Sequence, residues 1–112
     1  MEKTLFQKII DREISADIVY DDDRVCAFKD INPQAPIHIL VIPKEPIASV
    51  SEMSSNDKEL VGELVYRAKK IAEKEGVDDY RLVINNGIGA GQTVFHLHVH
   101  ILAGRPFGWP PG

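Results

Sequence analysis

Apolar residues recur along this chain with two spacings, and the switches between them mark its elements. The longest helical pattern runs from about Asn56 to Glu75. Leu60, Val61, Leu64, Val65, Ala68, Ile71 and Ala72 fall on one side of it, lysines and glutamates on the other, and Gly76 follows as a C-terminal stop. A shorter helix is predicted in "TLFQKIIDRE", with Thr4 and Gln7 at capping-box spacing and Leu5, Phe6, Ile9 and Ile10 on one side. "DIVYDDDRVCAFKD" reads as a hairpin around the acidic turn Asp21-Asp22-Asp23. After the proline-bounded loop "NPQAP", "IHILVIP" is a third strand closed by Pro43. "YRLVIN" is a fourth strand, and "FHLHVHIL" is a fifth. The tail "GRPFGWPPG", with three prolines and three glycines, should be irregular. These elements predict an α+β fold, a five-stranded and largely antiparallel sheet with two helices. The 112 residues suit a single domain spanning 1–112, with its tail from about 103.

The fifth strand carries three of the four histidines, His96, His98 and His100, at alternate positions. Extended backbone sends them to one face and Leu97, Val99 and Ile101 to the other. The apolar trio is expected in the core under the long helix, and the histidines are expected to turn outward as a group. A strand with a merely polar outer face would mix Thr, Lys, Glu and Ser. Zinc holds its ligands at about 2.0–2.1 Å, whereas His96 and His100 would stand roughly 13 Å apart at ~3.3 Å per residue. A single three-histidine metal site is therefore not expected, although a two-histidine site completed by His38 or an acid stays open. The third reading is nucleophilic and acid–base chemistry at a central imidazole tuned by its neighbours. The preceding "GIGAGQT" favours it, because consecutive glycines can turn backbone N–H groups toward a phosphate and Thr93 adds a hydroxyl. Its G-x-G-x-G spacing leads into a strand, so it is not a dinucleotide fingerprint.

A formal net charge of −4 argues against a nucleic-acid or membrane-surface partner, and a phosphate ligand would have to be captured by local groups. Cys26, the only cysteine, excludes an intrachain disulfide and reads as a small buried hydrophobe. "MEKTLFQKII" lacks the apolar core of a signal peptide, and no apolar run approaches a membrane span, so a reducing cytoplasm is the expected location.

"HLHVHIL", together with "AFKDINPQAPIHILVIPK", "NNGIGAGQTVFHLHVHIL" and the terminal "WPPG", resembles the Hint branch of the histidine-triad nucleotide-binding proteins over nearly the whole chain. The superfamily's larger nucleotidyltransferases need a far longer chain, and its dinucleoside polyphosphate hydrolases are not expected to end in this tail. The resemblance implies a purine nucleoside phosphoramidate hydrolase that needs no metal or other cofactor. His98 would be the nucleophile, His100 would lie beside the phosphate and leaving group, and His96 and His38 would support the nucleophile. Asn85, Gly91, Gln92 and Thr93 would meet the phosphate, with Thr93 where the family often has Ser. Asp30 and Ile31 would hold the nucleoside end, and Leu5, Phe6, Ile9, Phe28 and Leu40 would line the base pocket. It further implies a homodimer with a continuous ten-stranded sheet, in which the tail with Trp109 reaches the neighbouring subunit's site. Read locally, Trp109 would fold back on its own subunit, His38 would be a satisfied structural histidine, and Asp30 would cap a turn. Two alternatives share the same residues: dinucleoside polyphosphate hydrolysis, and a low-turnover module that binds nucleotide or protein. Acidification through pH ~6.5, where an unperturbed imidazole titrates, is expected to silence the nucleophile.

Overall fold

The computed structural model describes residues 2–112. Helix α1 (Leu5–Ile10) starts where the Thr4 hydroxyl accepts the Gln7 N–H at 3.1 Å. The reciprocal half of a capping box does not form, because the Gln7 side chain donates to Asp11 instead. Strands β1 (Ile18–Asp21) and β2 (Val25–Lys29) form the expected hairpin. Its turn is stabilised by Asp22, whose Oδ1 accepts the N–H groups of Arg24 and Val25 at 2.8 Å each. Strand β3 (Ile37–Pro43) follows the proline loop.

A short 3-10 turn, Ser55–Asp57, leads into helix α2 (Lys58–Lys74). Past its end Gly76 takes φ +75°, its N–H donates to Glu73 and that of Val77 to Ala72. Two of the carbonyls left over by the last turn are thereby used, which is why a glycine stands there. Strand β4 (Tyr80–Val83) and strand β5 (Val99–Ala103) complete a five-stranded sheet of order β1-β2-β3-β5-β4. Every neighbouring pair in it is antiparallel.

The sheet is covered on both faces, which explains why β2 and β3 are apolar almost without interruption. On one face Val25, Ala27, Ile39, Val41, Leu97, Val99 and Ile101 pack beneath Leu60, Leu64, Ala68 and Ile71 of α2. On the other, Cys26, Phe28, Leu40 and Ile42 pack beneath Phe6 and Ile9 of α1. Cys26 is the buried small hydrophobe its neighbours suggested, and burial pushes its thiol pKa up. Among the described residues, no helix is long and apolar enough to cross a membrane.

Three expectations about the elements need correction. The fourth strand stops at Val83, leaving Ile84 and Asn85 beyond it. Val65 is 45% exposed, because the buried face of α2 is narrower than its apolar pattern. The fifth strand begins at Val99, so His96 and His98 precede it and only His100 lies within it. The ladder opens with Val41 opposite Val99 and Val83 opposite His100. Upstream, the Leu97 N–H goes to the Ile47 carbonyl and the His96 carbonyl accepts from the His98 ring, so those backbone groups are not available for sheet pairing. The division of faces survives this change. Leu97, Val99 and Ile101 enter the α2 core, while the histidines take the α1 face.

Candidate active site

The histidines were expected to turn outward, but His96 and His98 are only 1% and 5% exposed. Helix α1 is what covers them. The Phe6 ring meets His98 edge-on at 4.9 Å between centroids and His96 at 6.3 Å. The His96 ring donates from Nε2 to the Pro43 carbonyl at 2.7 Å, and the His98 ring donates from Nδ1 to the His96 carbonyl at 2.7 Å. A neutral imidazole carries one N–H, so this second bond leaves the lone pair of His98 on Nε2.

His38 reaches the same place from β3. Register sets Leu40 opposite His100 and His38 opposite Leu102, which makes His38 and His100 diagonal neighbours on one face. Their rings join through His38 Nε2 and His100 Nδ1 at 2.9 Å, and His38 Nδ1 accepts the Gln34 N–H at 3.0 Å. The Asp30 carboxylate, just past β2, lies 3.5 Å from His38 Nε2. His100 Nε2 is buried without a partner among the described residues. Burial lowers the pKa of all four histidines. His100 is pushed down to about 4, by burial first and then by the neighbouring His98 and His38. The cluster is therefore neutral at pH 7. It presents a lone pair at His98 Nε2 and an unpartnered ring nitrogen at His100 Nε2.

These groups open into a cavity of about 560 Å³. Leu5, Phe6, Ile9, Phe28 and Leu40 line its apolar end, while Asp30, Ile31 and His38 lie along one side. Gly91, Thr93, His98 and His100 line the remainder. Ile31 projects at the lip, 94% exposed. Ile14, Ser15 and Ala16 also close the apolar end; they fall between helix and hairpin, where no periodicity marked them. Gln34 was missed as well, since it contributes through a backbone N–H that no side-chain pattern reveals.

Two residues expected at the phosphate, Asn85 and Gln92, are not among those lining the cavity. The Gln92 side chain is 2% exposed and turned into its own loop. It accepts the Gly87 N–H at 2.8 Å and donates to the Ala48 and Val94 carbonyls at 2.8 and 3.1 Å. An amide in that position satisfies three buried backbone groups and has no donor left for a ligand. Asn85 does not line the cavity either. Its amide lies behind Gly91, 3.7 Å from where a Cβ there would stand, and Gly91 itself holds φ +96°. His96 is likewise behind the cavity wall. Trp109 neither lines the cavity nor folds into a core, being 85% exposed.

A cation could bridge Asp30, His38 and His100, whose ligand atoms lie within 4.8 Å of one another. The group drawn together is thus not the triad itself. An ion there would have to displace the proton shared by His38 and His100, and it would use the nitrogens that organise the relay.

The HIT domain family model matches residues 11–107. The chain belongs to the HIT family. It is 59% identical over 112 residues to an uncharacterized HIT-like protein of Synechocystis, covering 99% of this chain and 98% of that one. It is 51% identical over 109 residues to the purine nucleoside phosphoramidase of Escherichia coli, covering 96% and 92% of the two chains. A HIT family hydrolase from Legionella pneumophila superposes with a TM-score of 0.95 at 47% identity, covering 98% of this chain and all of the other.

Proposed function

We propose that this protein hydrolyses the P–N bond of purine nucleoside 5′-phosphoramidates, of the adenosine 5′-phosphoramidate kind, through a nucleotidyl intermediate on His98. The observation that carries the reading is the pinned His98 ring, with its lone pair on Nε2, packed beside the His100 ring, whose Nε2 is unpartnered. The base enters the apolar end between Phe6, Ile9, Phe28 and Leu40, where purine preference rests on stacking area and shape. Asp30 accepts from the ribose hydroxyls, with Ile31 at the lip. The phosphate meets the Gly91 and Thr93 segment, and Asn85 and Gln92 support that segment from behind.

His98 Nε2 attacks phosphorus, and the P–N bond breaks with its electron pair on the departing nitrogen. The His100 Nε2–H is the donor at that nitrogen, which leaves as the amine after taking up a proton. Water then attacks the same phosphorus and its hydroxyl stays there, while its other proton replaces the one the amine took from His100. The P–Nε2 bond breaks with its electron pair on Nε2, and neutral His98 and His100 are restored. Charge on the phosphoryl oxygens is met by N–H and hydroxyl donors rather than by a resident cation. Kinship with a phosphoramidase at 51% identity supports the choice of P–N over P–O–P cleavage.

The assembly is read as a two-fold homodimer. Strand β4 is a sheet edge, and Val65, Tyr66 and Ile84 are all more than a third exposed. Two β4 strands side by side would continue the sheet to ten strands, with each tail and its Trp109 reaching toward the partner's cavity.

Steady-state hydrolysis of adenosine phosphoramidate against diadenosine polyphosphates, with and without exhaustive chelation, tests the reaction. Phosphoramidate should be the better substrate and chelation should not matter. His98→Ala should lose turnover by on the order of 10³-fold or more while still binding nucleotide. Rapid quench should find the nucleotidyl group on the peptide containing His98. Faster polyphosphate cleavage, zinc-restored activity or an adduct on another residue would each overturn the reading.

A further inference from the structure

Which nitrogen of an imidazole holds its proton is decided by the partners of both nitrogens, and for His38 the deciding partner lies outside the histidine cluster. The Gln34 N–H points at His38 Nδ1 from 3.0 Å. A peptide N–H can only donate, so Nδ1 must be unprotonated and the single proton of neutral His38 sits on Nε2. That Nε2–H faces His100 Nδ1 at 2.9 Å, which must then accept, and the proton of His100 is forced onto its own Nε2. The Asp30 carboxylate, 3.5 Å from His38 Nε2, favours the same choice, since it too can only accept there. Reversing the chain would set an N–H of His38 against the N–H of Gln34, losing a part-buried hydrogen bond.

The Gln34 peptide is itself held from the other end of the sequence. Arg105 donates from Nη2 to the Gln34 carbonyl at 3.0 Å, and the Gln34 side chain donates to Asn32 at 3.0 Å. Arg105 is delivered there by Gly104, which holds φ +95° with its backbone so close to Pro36 that a Cβ would lie 2.7 Å from the proline ring. The Arg105 guanidinium covers the Phe107 ring at 4.3 Å, and Arg81 donates to the Gly108 carbonyl at 2.8 Å. The first residues of the tail are thus fastened across the loop that addresses His38 of the same subunit.

We infer that the Gln34 N–H, held by Arg105 as a positioning residue, sets the tautomers of His38 and His100 and so makes the His100 Nε2–H the donor presented to the reacting group. Its catalytic meaning rests on the phosphoramidate reading above; the tautomer assignment does not. The tail accordingly acts on its own subunit through Arg105, whatever Trp109 does beyond it.

Long-range proton–nitrogen spectra of the whole protein, labelled with ¹⁵N-histidine at neutral pH, test the assignment. His38 and His100 should each show a protonated Nε2 and an accepting Nδ1, with His98 the reverse. Gln34→Pro deletes the N–H and should turn His38 into a tautomer mixture, carrying His100 with it. Arg105→Ala should keep nucleotide affinity, broaden or shift the His38 Nδ1 signal, and lower kcat about three- to tenfold, with Arg105→Lys partly restoring it. A protonated Nδ1 on His38 or His100 in the wild type would overturn the inference. So would Arg105→Ala with unchanged histidine nitrogens and unchanged kcat. Should phosphoramidates prove not to be substrates at all, the nitrogen spectra would still decide the tautomers, so the two failures are distinguishable.

Discussion

Neutrality of the histidine cluster comes from burial, and it has a sign that can be checked. Folded His38, His96, His98 and His100 resist protonation more than free imidazole, His100 down to about 4. The unfolded chain takes up those protons near pH ~6.5. Between the two the unfolded state binds more protons, so stability rises with pH. The contribution is present in full above pH ~6.5 and is lost as pH falls through the folded values toward about 4. Urea midpoints should therefore decline across that window, before most carboxylates protonate. A midpoint flat from pH 7 to 4 would contradict the burial of these rings. The same shift moves the acid limb of turnover. Sequence alone suggests failure near pH ~6.5, whereas a buried His98 stays neutral and nucleophilic below that value. A kcat profile falling with an apparent pKa well below 6.5 is expected, its value belonging to the coupled cluster.

Helix α1 spans six residues, too few to stand alone in water, so it persists by seating Phe6 and Ile9 against β2 and β3. Because Phe6 also covers His96 and His98, this element joins stability to the site. Phe6→Ala should cost about 3–5 kcal/mol in denaturant unfolding. It should also admit water to the histidine rings and weaken nucleotide binding. A loss below 1 kcal/mol would mean that α1 does not cover the site in solution. The helix was legible because its apolar side and Thr4 cap are local signals, as were the Gly76 stop and the hairpin around Asp22. The start of β5 was not legible. Alternation continues through His96 and His98, while the change of backbone partner depends on Ile47, far away in sequence. Alternation also says which residues share a face but not what covers it, so the histidines looked outward until α1 was seen above them. The hydrogen bonding of Gln92 was not legible for a related reason. Its place beside the glycine loop suggested a phosphate contact, but its partners Gly87, Ala48 and Val94 are backbone groups that residue types do not encode. Among the cavity residues, Ile14, Ser15 and Ala16 fall outside any periodic element and Gln34 acts through its backbone N–H, and none of the four was legible.

At the scale of the molecule, two of the features that its own chain leaves uncovered bear on a second copy. One is the edge strand β4, together with the exposed Val65 and Tyr66 of α2. An open strand edge beside exposed apolar side chains invites pairing with another copy. The other is the end of the tail, where Trp109 stands 85% exposed although Arg81 and Arg105 anchor the residues just before it. Anchoring a tail firmly and then leaving its only tryptophan in solvent makes sense when a second subunit receives that ring. Sedimentation at micromolar concentration should accordingly show a dimer, and a monomer would remove the pairing of β4. Deleting Trp109 to Gly112 leaves Arg105 and its hold on Gln34 in place, so the relay and the dimer should both survive. What should change, on the proposed dimer, is the order of rates across a series of amine leaving groups, because that reading puts the Trp109 ring at the reacting end of the partner's cavity. If the series keeps its wild-type ranking, the tryptophan does not reach the reacting end of the partner's cavity, and leaving-group selection must come from residues that remain.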